Sequence, residues 1–168
     1  FVIKIEKLED ERGFFARTWD KEFFKSNGLN DGLVQCNISF NRKKGTIRGL
    51  HYQMPPYEEA KLVRCTRGKV FEVIIDLRKN SKTFLQWDSV ELDSENYLML
   101  FVPEGFALGL QTLEDNSEVC YQMSQFYKPE SFKGIRWNDK TLKISWPLRP
   151  TVISEKDSNL GTLDEVMI

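Results

Sequence analysis

A β-rich barrel or double-sheet jelly roll is the fold class this 168-residue chain predicts. Short runs of β-branched and aromatic residues recur at regular spacing, with Gly, Pro and Asn signals between them. Aromatic residues make up 12% of the chain, twelve Phe and four Trp among them, and flat rings suit the space between pleated faces. Helical signals are confined to one short stretch near Asp20 and one at the C-terminus. No repeat, low-complexity tract or linker divides the sequence. A single domain over residues 1–168 is expected, long enough to bury a core without staples.

The opening Phe1-Val2-Ile3-Lys4-Ile5-Glu6 is extended and runs to a turn at Asp10-Glu11-Arg12-Gly13. Residues 14–18 read as a strand. Residues 20–26 read as a short helix: Asp20 can cap it, Phe23 and Phe24 give it an apolar side, and Asn27-Gly28 stops it. A strand at 33–40 ends in the basic turn Arg42-Lys43-Lys44-Gly45. The next, at 46–53, is broken by Met54-Pro55-Pro56, because proline has no N–H for a ladder. Strands at 60–66 and 69–76 are expected to form a tight hairpin about Arg67-Gly68. Val70, Phe71, Val73, Ile74 and Ile75 are nearly continuous, which fits a strand covered on both faces, in a sandwich or at a subunit interface. Further strands follow at 86–92, 98–102, 109–113 and 119–126, with a turn at Pro103-Glu104-Gly105. Residues 129–150 are irregular, with Ile144-Ser145-Trp146 as a candidate strand.

Charge and composition exclude several function classes. Lys and Arg number 24 against 25 Asp and Glu, so the formal net charge of −1 gives no electrostatic reason to expect nucleic acid. It leaves room for a local basic pocket for one anionic ligand. No apolar run approaches the ~20 residues of a membrane helix. Acidic residues follow the first apolar ones at once, unlike a signal peptide, and the chain lacks an initiator Met, so a few native residues are expected to precede it; the cytoplasm is the expected compartment. Cys36, Cys65 and Cys120 are widely separated and form no C-x-x-C pair, which reads as buried free thiols in a reducing compartment.

His51 is the one histidine, and imidazole is the side chain whose ordinary pKa lies near neutrality. It is the first candidate base for proton chemistry, and a metal site built on several histidines cannot form within one chain. Period-two alternation would put Arg48, Leu50 and Tyr52 on one face, with Gly49, His51 and Gln53 on the other. Each candidate also has an ordinary explanation: His51 as a core histidine bonded to a carbonyl, Lys61 as a solvated strand end, Tyr121 as plain packing, Asp157 as a loop charge. The functional alternatives are a lysine facing developing oxyanion charge, a phenol donating a proton across a cavity, and a carboxylate fixing the imidazole tautomer. Arg12, Arg48, Gln35 and Asn37 are polar groups near turns or mixed strands, and arginine forks suit phosphate oxygens.

Taken together the segments resemble the dTDP-4-dehydrorhamnose 3,5-epimerase family, a cupin-type jelly roll, over almost the whole chain. The resemblance is carried by Asp10-Glu11-Arg12-Gly13-Phe14-Phe15, Gln35-Cys36-Asn37-Ile38-Ser39, Gly45-Thr46-Ile47-Arg48-Gly49-Leu50-His51-Tyr52-Gln53 and Lys61-Leu62-Val63-Arg64. Arg67-Gly68-Lys69-Val70-Phe71-Glu72-Val73, Asp76-Leu77-Arg78-Lys79-Asn80-Ser81, Pro103-Glu104-Gly105-Phe106-Ala107, Trp137-Asn138-Asp139, Ile144-Ser145-Trp146-Pro147 and Ser154-Glu155-Lys156-Asp157 extend it. The resemblance implies a nucleotide-linked, dTDP-type 4-keto-6-deoxy sugar as substrate. It also implies inversion at C3 and/or C5 by proton removal from one face and return to the other, in deoxysugar biosynthesis. No cofactor and no metal are expected, in keeping with the absence of a Gly-rich dinucleotide loop. By the same resemblance His51 is the general base, Asp157 orients it, Tyr121 is the opposite-face acid and Lys61 stabilises the enolate. Arg48 is expected near the diphosphate, Arg12 and Phe15 at the nucleotide from a neighbouring subunit, and Gln35 and Asn37 lining the nucleotide site. A homodimer is expected.

Two positions depart from the family pattern. Leu108 stands where the family usually has a pocket histidine, in Gly105-Phe106-Ala107-Leu108-Gly109-Leu110, and Phe132 stands where it often has a Glu. Both make the pocket more apolar and predict an epimerase of altered scope. The competing readings are a 3,4-ketoisomerase on the same sugar type and a catalytically silent sugar-nucleotide-binding homologue.

Overall fold

In the computed structural model, residues 1–166 are described. In chain order the strands are β1 (Val2–Lys4), β2 (Leu8–Asp10), β3 (Gly13–Phe15), β4 (Gln35–Asn41), β5 (Thr46–Gln53), β6 (Lys61–Arg67), β7 (Lys69–Asp76), β8 (Trp87–Asp93), β9 (Leu98–Val102), β10 (Phe106–Thr112), β11 (Ser117–Met123), β12 (Phe132–Gly134) and β13 (Val152–Ile153). The helices are α1 (Lys21–Ser26), α2 (Glu155–Ser158) and α3 (Leu163–Val166), none long enough to cross a membrane. The expected helix near Asp20 is present, and Asp20 accepts from the Phe23 N–H as its N-cap.

One sheet has the order β1-β9-β6-β11-β4. The other has β12-β5-β10-β7-β8, with β13 joining β5 in parallel. From β4 to β11 the chain changes sheet at every connection but the one from β7 to β8. The expected hairpin at Arg67-Gly68 is therefore a corner: β6 and β7 lie in different sheets and do not pair. Gly68 permits it with φ +70°, where a Cβ would come within 2.7 Å of Ser117 Oγ.

Three packed layers result. Val63, Cys65, Val70, Leu92, Leu100, Val102, Leu110 and Val119 fill the space between the sheets. On the other face of the six-stranded sheet, Leu50, Tyr52, Val73, Ile75 and Ala107 meet Ile135, Leu142 and Leu163 from the C-terminal segment. On the other face of the five-stranded sheet, Leu62, Met99 and Phe101 meet Ile5 and Phe24 of the N-terminal segment. The two-sided burial predicted for β7 is thus met within the chain, by the C-terminal tail rather than a second subunit.

Other expectations are corrected. The strand expected at 14–18 is the three-residue β3, whose side chains are exposed in a small β2–β3 hairpin. Ile144-Ser145-Trp146 forms no strand; Trp146 is held by its indole N–H to the Trp137 carbonyl instead of by a ladder. Cys65 is buried, but Cys120 is half-buried and Cys36 exposed, because Cys36 sits on the outward face of edge strand β4.

One irregularity decides the site. Across β10 and β5, Leu108 faces His51 and Leu110 faces Arg48, so a step of two residues on β10 matches a step of three on β5. This bulge shifts the alternation by one. Gly49 (φ +94°) and Gly109 allow the close approach: a Cβ at Gly49 would lie 2.7 Å from the Leu108 carbonyl oxygen. Arg48 and His51, predicted on opposite faces, consequently line the same cavity.

Candidate active site

Between the two sheets lies a cavity of about 370 Å³. Arg48 and His51 enter it from β5, Lys61 from β6, Glu72 from β7, Leu108 from β10 and Tyr121 from β11. His51 and Tyr121 therefore stand on different sheets, with the hollow shared between them.

His51 is held from behind. Its Nε2 lies 2.7 Å from Asp157 Oδ1, although the two residues are 106 positions apart. The pairing follows from β13, which docks in parallel beside Thr46 and Ile47 and carries α2 against β5. Ser154 caps α2 by accepting from the Asp157 N–H, and Asp157 Oδ2 accepts from the Gly49 N–H at 3.1 Å. Burial pushes the Asp157 carboxyl up, but the hydrogen bond and charge of His51, the Gly49 N–H and Arg48 outweigh it, leaving the group below its ordinary value. An ionised Asp157 accepts the Nε2 proton, so the basic lone pair of a neutral ring is at Nδ1. The ring packs on Phe132 at a centroid distance of 4.8 Å.

Tyr121 is half-buried. Burial raises its phenol pKa against the opposing charge of Arg48, so it holds its proton at neutral pH. Arg48 donates through Nε to Asn41 Oδ1 at 2.6 Å, and through Nη2 to the Phe40 carbonyl at 3.4 Å, leaving other guanidinium N–H groups free. Lys61 is mostly buried, with Nζ 2.7 Å from Glu59 Oε1, rather than a solvated strand end.

The remaining predicted site residues are not brought to this cavity within one protomer. Gln35 accepts from the Tyr127 N–H at 2.5 Å, and Asn37 donates to Met123 Sδ at 3.5 Å, so both brace the wall beside it. Arg12 is exposed on the β2–β3 hairpin and bonded to Asp10, and Phe15 on the same hairpin is 63% exposed. Sequence reasoning missed two acids: Glu59, the partner of Lys61, and Glu72, which lines the cavity. The available signal for Glu72 was its place as the lone charge inside the apolar run Val70–Ile75 of β7.

Glu72 is 1% exposed, and neither carboxyl oxygen has a hydrogen-bond partner among the described residues. Burial drives its pKa up to about 8 against the opposing charge of Lys61, so it is mainly the neutral acid at pH 7.

The comparisons with known proteins agree with one another. The family described as dTDP-4-dehydrorhamnose 3,5-epimerase matches residues 1–165. The dTDP-4-dehydrorhamnose 3,5-epimerase of Sinorhizobium fredii is 41% identical over 168 residues, covering 99% of this chain and 86% of the relative. The crystal structure of the Bacillus anthracis enzyme of that name, with TDP and PPi bound, superposes with a TM-score of 0.93 at 38% identity, covering 96% of this chain and 93% of that one. The Legionella pneumophila 3,5-epimerase in complex with dTDP-4-keto-L-rhamnose gives a TM-score of 0.91 at 37% identity, over 98% and 88%. With the family match spanning nearly every residue and the same fold recurring in relatives at this identity, the chain belongs to the dTDP-4-dehydrorhamnose 3,5-epimerase family.

Proposed function

We propose that this protein inverts C3 and/or C5 of a dTDP-linked 4-keto-6-deoxy hexose by cofactor-free proton transfer. One observation carries the reading: His51 and Tyr121 rise from opposite sheets into one cavity that also holds Lys61. A ketone at C4 acidifies the hydrogens on its neighbouring carbons, because removal of either gives an enolate. His51, with Nε2–H committed to Asp157, takes that proton through Nδ1. The Lys61 ammonium balances the charge that develops on the C4 oxygen, and the Tyr121 phenol returns a proton to the other face. Positioned acid–base groups contribute roughly 10²–10⁴-fold each, and one oxyanion donor a similar order. Arg48, at the same cavity with free N–H groups, suits the diphosphate.

A homodimer would complete the nucleotide end of the site. Ile38 and Phe40 are 69% and 42% exposed on edge strand β4, and the β2–β3 hairpin also exposes apolar side chains. Such surfaces mark contact sites, and a second copy docking there could present Arg12 and Phe15 to its neighbour's nucleotide. We place the reaction in the cytoplasm.

Leu108 narrows the substrate. It lines the cavity opposite His51 in the β10–β5 register and can neither donate nor accept a hydrogen bond. A sugar hydroxyl facing it would be left unpaired, at roughly 1–3 kcal/mol, so a substrate lacking a hydroxyl there is favoured. Leu108 is also the observation that supports a silent binding homologue as the second reading. Solvent-deuterium uptake by a panel of 4-keto sugar nucleotides separates them. Uptake at C3 or C5 with the ketone retained at C4 is expected; binding without uptake at either carbon would favour the silent protein, and a carbonyl moved to C3 the ketoisomerase. Equal kcat/KM for deoxy and hydroxy sugars would remove the argument from Leu108.

A further inference from the structure

Glu72 makes no hydrogen bond or ion pair among the described residues. It lies at the middle of β7, opposite Leu110 on β10 and Val90 on β8, and its side chain enters the cavity. Both its oxygens lack partners among the described residues, and the nearby Lys61 ammonium is engaged by Glu59 at 2.7 Å. A buried polar group without a partner destabilises a fold, and an apolar side chain of similar size would be favoured there on stability alone. An orphaned carboxyl aimed into a ligand cavity is instead what a site looks like when the ligand supplies the missing partner.

The charges around it narrow the role. Lys61 and Glu59 come from β6 and the segment before it, Arg48 and His51 from β5, Tyr121 from β11 and the Cys65 thiol from β6; β10 contributes no titratable group, and Asp88 on β8 lies at the exposed end of the same row. Lys61 and Glu59 already form a neutral pair. An ionised Glu72 would leave this part of the cavity negative, opposing an enolate. A neutral Glu72 adds no charge and offers an O–H donor, and apolar surroundings are what hold a carboxylic acid in that form.

We propose that Glu72 is a substrate-contacting residue of the epimerase site, donating its carboxyl O–H to the C4 oxygen of the bound hexose alongside the Lys61 ammonium. The proton stays on the carboxyl; the hydrogen bond strengthens as the ketone oxygen becomes an enolate oxygen. The assignment rests on the epimerase reading above.

Three measurements test it. Glu72→Leu should raise the unfolding temperature while lowering kcat for deuterium uptake by about 10²-fold, the usual cost of one oxyanion donor, with KM within about three-fold. Glu72→Gln, which keeps an N–H donor, should recover kcat to within about ten-fold of the native protein. It should also lose the native fall in kcat as pH rises through about 8. Native kcat in Glu72→Leu would overturn the proposal, as would a Glu72→Gln protein as slow as Glu72→Leu, since a carboxylate rather than a donor would then be required. The third measurement does not depend on turnover. A sugar nucleotide labelled with ¹³C at C4, bound to the His51→Asn variant, should show its ketone resonance move upfield when Glu72→Leu is added. An unmoved resonance would show that the carboxyl does not touch that oxygen, whatever reaction the protein performs.

Discussion

Two buried carboxyl groups, Glu72 inside the cavity and Asp157 behind the His51 that lines it, end in opposite states. Asp157, behind β5, receives hydrogen bonds from His51 and the Gly49 backbone and is held ionised. Glu72, on β7, receives none and is pushed toward the neutral acid. Asp157 is 4% exposed and Glu72 1%. Depth alone does not set the charge; the donors that reach each group do. His51 thus has a negative charge held behind it, whereas the carboxyl on β7, two strands away in the same sheet, keeps its proton.

The largest expected effect comes from removing the imidazole. His51→Asn should reduce deuterium uptake by about 10³-fold or more while dTDP binding, measured calorimetrically, survives. Near-native exchange in that variant would show that the base lies elsewhere. Asp157→Asn should come next, with kcat lower by about 10²–10⁴-fold, because an amide can present its N–H₂ to Nε2 and hold the wrong tautomer. A loss under ten-fold would reduce Asp157 to a helix anchor.

The contrast predicts opposite pH dependences of stability. Asp157 has a folded pKa below its ordinary 3.8, so its contribution is present above that value and is lost as pH falls through the lower folded one. Glu72 has a folded pKa near 8 against an ordinary 4.5, so the folded state binds the extra proton between those values. Its contribution is full below about 4.5 and is lost progressively as pH rises to about 8, by on the order of a few kcal/mol. Glu72→Gln should flatten the fall in denaturant stability between about pH 4.5 and 8, and Asp157→Asn the acidic limb below 3.8. A limb unchanged by its variant would break the assignment. The smallest effect is at Leu108: Leu108→Asn should improve kcat/KM for a hydroxylated sugar relative to its deoxy counterpart by about ten-fold, within the 1–3 kcal/mol of one unpaired hydroxyl. No change in that ratio would show that Leu108 faces no sugar hydroxyl.

The surroundings of His51 were far more legible than Glu72. Asp20, Phe23, Phe24 and Asn27 specify α1 through local capping and periodicity, and turn residues mark both ends of β5, the start of β7 and the end of β9. His51 stands out as a lone imidazole in a distinctive run, but its partner was readable only through the family resemblance, since nothing local to Asp157 points 106 residues back. Glu72 escaped notice because its neighbours read as plain core, and the one charge among them looked like an interruption. The bulge at Gly49 escaped because a glycine in a strand signals a bulge only weakly, and the alternation rule then put Arg48 and His51 on the wrong sides.

The sequence by itself determined what is local: strand-forming runs, the turns between them, one capped helix and the residue types available for proton chemistry. Tertiary structure alone decided which sheet each strand joins, that the C-terminal tail covers β7, and which of two buried acids keeps its proton. Those outcomes depend on contacts between residues distant in the chain, and on how many hydrogen-bond donors such contacts bring to each carboxyl, quantities that no window of neighbouring residues contains.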